Sequence, residues 1–104
     1  MKNNRTPLAP PGRRSRPLRR FGWSAAAGLA AEIAKAESSG QQYASLLNTN
    51  GTTDRGYWQI NSVHGSLSTF GAYANARSAV LISNDGRDWT AWTTYRTGAY
   101  AGKC

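Results

Sequence analysis

All four prolines and seven of the thirteen basic residues fall within the first 23 positions, and no acid precedes Glu32. A segment so rich in proline and arginine, and so poor in large aliphatic side chains, cannot bury enough apolar surface to offset the entropy of ordering it. Residues 1–23 therefore read as a disordered basic leader. The fold must come from residues 24–104, which gives room for one domain with a modest core and not for two.

Lys2, Arg5, Arg13, Arg14, Arg16, Arg19 and Arg20 account for most of the net charge of +8, because the rest of the chain sets six bases against five acids. Such a tail can dock on an anionic polymer (nucleic acid, teichoic acid or lipid headgroups) or merely keep the chain in solution. Arg19-Arg20-Phe21 before an Ala/Gly-rich run invites a twin-arginine export reading. The run passes unbroken into Ile33 and Glu37, however, so cleavage there would damage the first helix. No stretch reaches the roughly 18 consecutive apolar residues that span a bilayer. One histidine, His64, and one cysteine, Cys104, cannot supply a zinc site, and neither a metal nor another cofactor is expected. A lone cysteine also rules out an internal disulfide framework, and Cys104 reads as an inert thiol.

From Ser24 the pattern is helical. Ser24 can cap, alanines dominate, and Leu29, Ile33 and Glu37 recur at i, i+4 and i+8. Ser38-Ser39-Gly40 stops the helix and leaves Glu37 in its last turn, on the apolar stripe. Leu46 to Ile60 reads as a hairpin, with Asn50-Gly51 as a two-residue turn and Asp54 on the return strand. A second helix is expected from about Ala72 to Asn84, with Tyr73, Ala76 and Val80 on one face and Asp85-Gly86 as the stop. Trp89 and Trp92, three apart, suit one face of a helical turn, and there is no internal repeat. The predicted class is α+β, predominantly helical, with a small β-hairpin.

A carboxylate on an apolar helix face is costly unless it is paired or protonated. Two readings of Glu37 follow: a desolvated carboxyl with a raised pKa, able to donate a proton near neutrality, or a side chain turned aside to pair with a base such as Arg77. Asp54 follows 17 residues later among polar neighbours, Asn48, Thr52 and Thr53, which favour its ionised form. One apolar and one wet carboxylate form the arrangement that cleaves glycosidic bonds, the first protonating the leaving oxygen and the second supporting the oxocarbenium ion.

Glu37-Ser38, followed by the run Asn48-Thr49-Asn50-Gly51-Thr52-Thr53-Asp54-Arg55-Gly56-Tyr57-Trp58-Gln59-Ile60-Asn61-Ser62, resembles the active-site segment of the c-type lysozymes. It is also similar to the catalytic domain of lytic transglycosylases and phage tail lysozymes, marked by Glu-Ser and then Gly-aromatic/Leu-x-Gln-Ile-Asn. Asn75 to Val80 and Asp88-Trp89-Thr90-Ala91-Trp92 resemble the helix and tryptophan pair that close the lysozyme cleft. The resemblance implies a lysozyme-like domain whose hairpin lines the active-site cleft and whose substrate is the glycan strand of peptidoglycan. It implies Glu37 as general acid and Asp54 as nucleophile or electrostatic stabiliser. It further implies Gln59 on the cleft floor, Asn48 and Asn61 as partners of sugar hydroxyl and acetamido groups, and Trp89 as the apolar wall beside Glu37. Trp58 and Trp92 read as core, and Gln59 and Asn61 also admit an ordinary role in strand-end hydrogen bonding.

The four disulfides of the animal enzymes are absent, and the segment between Asn61 and Asn75 is shorter than their β-rich lobe. A bacterial or phage origin fits better, with action outside the cell, at the wall or from a virion, as a monomer or as part of a larger assembly. With so little support for Asp54, Glu37 acting alone as acid and then base, as in a lytic transglycosylase, is the alternative chemistry. A serine hydrolase built on His64 lacks a Gly-x-Ser-x-Gly elbow. A reading of another class is a non-catalytic sugar- or nucleic-acid-binding module, supported by the leader. If the leader docks on anionic polymers, the intact chain binds DNA with an affinity that falls steeply between about 50 and 200 mM salt, and a chain lacking residues 1–23 does not. Gel-shift titration measures this, and salt-insensitive binding would remove the idea.

Overall fold

The computed structural model describes residues 23–104. The leader assigned to residues 1–23 lies outside the described residues except for Trp23, which opens the first helix. That helix, α1 (Trp23–Ser38), is built largely of alanine, the strongest helix former, with Ala26, Ile33 and Ala34 buried along one side. The Ser38 hydroxyl donates to the Ala34 carbonyl (2.9 Å), and Ser39 and Gly40 take left-handed conformations (φ 56° and 76°). The helix therefore ends one residue after Glu37, as the sequence pattern predicts.

Three short strands follow, β1 (Ser45–Leu47), β2 (Thr53–Arg55) and β3 (Ile60–Asn61), antiparallel in the order β1-β2-β3. The register places Asp54 on the central strand, opposite Leu46 on one side and Asn61 on the other. The architecture is α+β and predominantly helical, with a third strand beyond the expected hairpin. The tip differs from the two-residue turn expected at Asn50-Gly51. It is a three-residue loop, closed by Gly51 N–H on the Asn48 carbonyl (3.0 Å) and Asn48 N–H on the Thr52 carbonyl (2.8 Å). A two-residue hairpin turn needs positive φ at both central positions (type I′) or at the first (type II′). Only Gly51 has it (φ 88°), while the Asn50 side chain accepts from the Thr52 N–H (3.0 Å) and hydroxyl (2.7 Å).

A 3₁₀ segment, Ser62–Leu67, leads from β3 toward helix α2 (Ala72–Ile82), and α3 (Thr93–Thr97) follows the tryptophan pair. The expected apolar face of the second helix is not its buried face. Tyr73 is 77% exposed, and the side chains turned inward are Asn75, Ser78 and Ala79. The sheet connection beneath α2 offers backbone polar groups, which an apolar stripe cannot satisfy. Asn75 satisfies them. It is fully buried (0% exposed), accepts from the Trp58 N–H (2.9 Å) and donates to the carbonyls of Arg55 (2.9 Å) and Thr69 (2.8 Å).

Trp58 carries the tie further. Its indole N–H donates to the Ala30 carbonyl of α1 (3.0 Å), and its own carbonyl accepts from the Trp92 indole (2.7 Å). The core of Ile33, Ile60, Ala79, Trp89 and Trp92 closes around this connection, with Leu29, Trp58 and Ile82 partly buried against it. Among the described residues no helix is long and apolar enough to cross a membrane.

Gly56 (φ 85°) packs directly under Asn75, where a Cβ would stand 2.4 Å from Asn75 Nδ2 and 2.8 Å from the Thr69 carbonyl oxygen. Gly51 has a similar φ of 88° but open space around it. Backbone strain alone costs an alanine about 1–2 kcal/mol in this region. Gly51→Ala is accordingly expected to cost about that much in urea unfolding, and Gly56→Ala at least about 2 kcal/mol more, because the Asn75 clamp must move as well. Asn75→Ala, which leaves buried backbone groups unpaired, is expected to cost about 3 kcal/mol. Equal losses for the two glycine variants would mean that the close approach carries no energy.

Candidate active site

A cleft of about 590 Å³ lies between the sheet and the junction of α1 with α3. Glu37, at the end of α1, and Asp54, on β2, both line it, together with Asn48, Gln59 and Asn61 from the sheet and its loops. Trp92, Thr93 and Thr94, at the start of α3, line it opposite the sheet. Five of the six residues singled out in the sequence thus share one cavity.

Glu37 is half-buried, and its carboxyl Oε2 accepts a 2.7 Å hydrogen bond from the Thr94 hydroxyl. Removal from water raises its pKa above the usual carboxylate range and is the largest influence on it. The Thr94 hydroxyl opposes the rise, the nearby charge of Asp54 adds to it, and the Thr94 backbone N–H opposes it more weakly. The alternative partner, Arg77, instead lies over the Tyr73 ring, 6.0 Å from its centroid.

Asp54 sits in a contrasting setting. Its Oδ1 accepts from Asn61 Nδ2 (2.8 Å), which also donates to the Thr52 hydroxyl oxygen (3.0 Å). That hydroxyl oxygen takes a further bond from Asn48 Nδ2 (3.2 Å) and donates its own proton to Asn50. Two side chains across the hairpin therefore brace Thr52, and Asn61 braces Asp54 directly. Asn61 has no spare amide proton, since Nδ2 donates to both Asp54 and Thr52, and its Oδ1 accepts the Val63 N–H (2.9 Å) at the start of the 3₁₀ segment. Its geometry is that of a strut. Asn48 keeps its side-chain amide oxygen, Oδ1, without a partner among the described residues. Gln59, held at φ 47°, donates to the carbonyls of Ala44 (2.9 Å) and Gly56 (2.8 Å), so it closes the connection between β2 and β3 while lining the cleft.

Trp89 is the residue that the structure places elsewhere. It is 3% exposed, donates its indole proton to the Gly86 carbonyl (3.0 Å), and is not among the residues lining the cleft. The apolar wall comes from Trp92, with Ile60, Ile82 and Ala91. Trp89 backs that wall from the core, with the two ring centroids 5.0 Å apart. The Asp88 carboxylate, which accepts from the Thr90 hydroxyl and N–H, sets the turn that carries both rings, and those bonds hold its pKa below the ordinary value. Thr94 left no trace in the sequence, because its partner is 57 residues away and a threonine among threonines has no pattern. His64, the other titratable residue lining the cleft, has only its rarity as a signal.

A carboxyl whose folded pKa exceeds its unfolded one binds its proton more tightly in the native state. Its contribution to stability is complete below the unfolded pKa and is lost as pH rises through the folded one. Glu37→Gln, which stays neutral and can still accept from Thr94, is therefore expected to match the parent chain in thermal stability near pH 4 and to exceed it near pH 8. Melting curves at the two pH values measure this, and a variant less stable at both would show that the carboxylate is not strained by its surroundings.

A model of the lysozyme-like domain family matches residues 19–94, a span that holds Glu37, Asp54 and the start of α3. The match begins within the segment that composition reads as leader. Comparison with curated proteins gives no match. With about three-quarters of its length covered by that model, and with the helix-end glutamate, hairpin and cleft in place, the chain belongs to the lysozyme-like domain family.

Proposed function

We propose that the protein cleaves the β-1,4 bond between N-acetylmuramic acid and N-acetylglucosamine in peptidoglycan, with Glu37 as general acid and Asp54 as nucleophile or electrostatic stabiliser. The observation that carries this reading is the contrast within one cleft between a carboxyl withdrawn from water and a second acid held by the Asn61 amide. Membership of the lysozyme-like family supports the substrate class. Glu37 donates its proton to the glycosidic oxygen as the bond from the muramyl C1 to that oxygen breaks. Asp54 attacks C1 or balances its positive charge, and water then completes the hydrolysis as Glu37 takes back a proton. Asn48, whose side-chain Oδ1 has no partner among the described residues, is placed to meet a sugar hydroxyl or amide, and Trp92 takes the wall position assigned to Trp89. No cofactor is required for this chemistry.

The substrate places the enzyme outside the cell, facing the wall, or on a virion, and the basic leader suits the anionic wall. Glu37→Gln is expected to reduce lysis of purified peptidoglycan by at least about a thousandfold while the far-ultraviolet circular dichroism is unchanged. Undiminished lysis would reject the assignment, and no turnover by the parent chain, with glycan still bound, would favour a binding module. Asp54→Asn is expected to lose about a hundredfold or more. High residual activity with anhydromuramyl products in mass spectrometry would replace the hydrolase by a transglycosylase in which Glu37 serves alone.

A further inference from the structure

Thr94 reaches Glu37 from a different element, on α3, with its hydroxyl 2.7 Å from one carboxyl oxygen. Its position is fixed from both sides. The Thr94 carbonyl accepts the Tyr100 N–H (3.2 Å), Tyr95 stacks on Tyr100 with centroids 5.3 Å apart, and the preceding Trp92 is riveted to Trp58 through its indole. On the side of the acid, α1 ends one residue after Glu37, and Ser38 is bonded back to Ala34. A hydroxyl and a carboxyl thus meet between two anchored backbones.

We propose that Thr94 is a positioning residue for Glu37: its hydroxyl, donated to Oε2, makes that oxygen the acceptor and leaves Oε1 to carry the proton delivered to the substrate. The inference rests on the reading of Glu37 as general acid. A carboxyl that can rotate presents its proton in several directions, and the fixed donor selects one of them. The same bond strengthens when Glu37 becomes a carboxylate, so it assists proton release at the cleavage step. Burial and Asp54 push the opposite way, and Thr94 keeps the acid from holding its proton too tightly. The titratable groups sharing the cleft are Glu37 itself, Asp54 from β2 and His64 from the 3₁₀ segment. Of these, the proposal involves Glu37 alone.

Thr94→Val keeps the shape and the backbone N–H and removes the hydroxyl donor, and Thr94→Ser keeps the hydroxyl. Carboxyl carbon NMR titration of Glu37, without substrate, is expected to show its pKa rising by about one unit in Thr94→Val and returning to the parent value in Thr94→Ser. Peptidoglycan turnover is expected to fall about tenfold in Thr94→Val near neutral pH, with KM little changed, the alkaline limb of the rate profile shifted upward by the same unit, and recovery in Thr94→Ser. A Glu37 pKa that is unchanged or lowered in Thr94→Val overturns the proposal, as does a raised pKa with unchanged turnover. Should Thr94→Val not fold, Thr94→Ala is read by the same titration. Because the titration needs no catalysis, a failure of Glu37 as the acid, seen as full lysis by Glu37→Gln, is distinguishable from a failure of Thr94 as its positioner.

Discussion

The Trp58 peptide, held through its N–H by the buried Asn75 amide, is the point from which the rest of the domain is hung. Asn75 fastens α2 to the turn after β2, the Trp58 indole fastens that turn to α1, and the Trp58 carbonyl receives the indole of Trp92. Three helices and the sheet are thereby referred to one residue. The arrangement compensates for a core with few large buried side chains, in which directional bonds must supply the uniqueness that packing supplies in larger domains.

The candidate site inherits its two halves from that frame. On the helical side, Glu37 and Thr94 belong to elements that the Trp58 connection holds together, and Trp92 contributes both to the connection and to the cleft wall. On the sheet side, apolar burial is nearly absent. Leu47 is 72% exposed, Ile60 is the sheet residue in the core, and the hairpin is held by amide and hydroxyl side chains around Thr52. The contrast between the two carboxyl settings is therefore a property of the elements that bear them, not of the two residues alone.

What could be read from the sequence follows the range of the interactions involved. Helix α1, its stop after Ser38 and the stripe through Leu29, Ile33 and Glu37 are local, and the alanine pattern displays them. The Asn48 to Ser62 motif, together with Glu37, carried the resemblance that located the cleft. Helix α2 was legible in extent and misread in orientation, because Tyr73, Ala76 and Val80 have the same periodicity as Asn75, Ser78 and Ala79, and no local rule prefers a buried asparagine. The wall role expected of Trp89 falls to Trp92, itself a core residue as read, for a related reason. Both are buried, and only the fold decides which ring faces the cavity. Thr94 and Asn75 act across 57 and 17 to 20 residues, distances at which a pairing leaves no periodic mark.

The polar bracing of the hairpin has a consequence for motion. A wall secured by hydrogen bonds at its surface, with little apolar area to expose, can separate from the body at a fraction of the cost of global unfolding. Its opening also carries a small heat-capacity change, since that quantity follows apolar exposure. The domain then behaves as a firm jaw bearing Glu37 and a compliant one bearing Asp54. On the proposed reading, a glycan strand without free ends near the site enters from the side, and the compliant jaw is the one placed to yield to it.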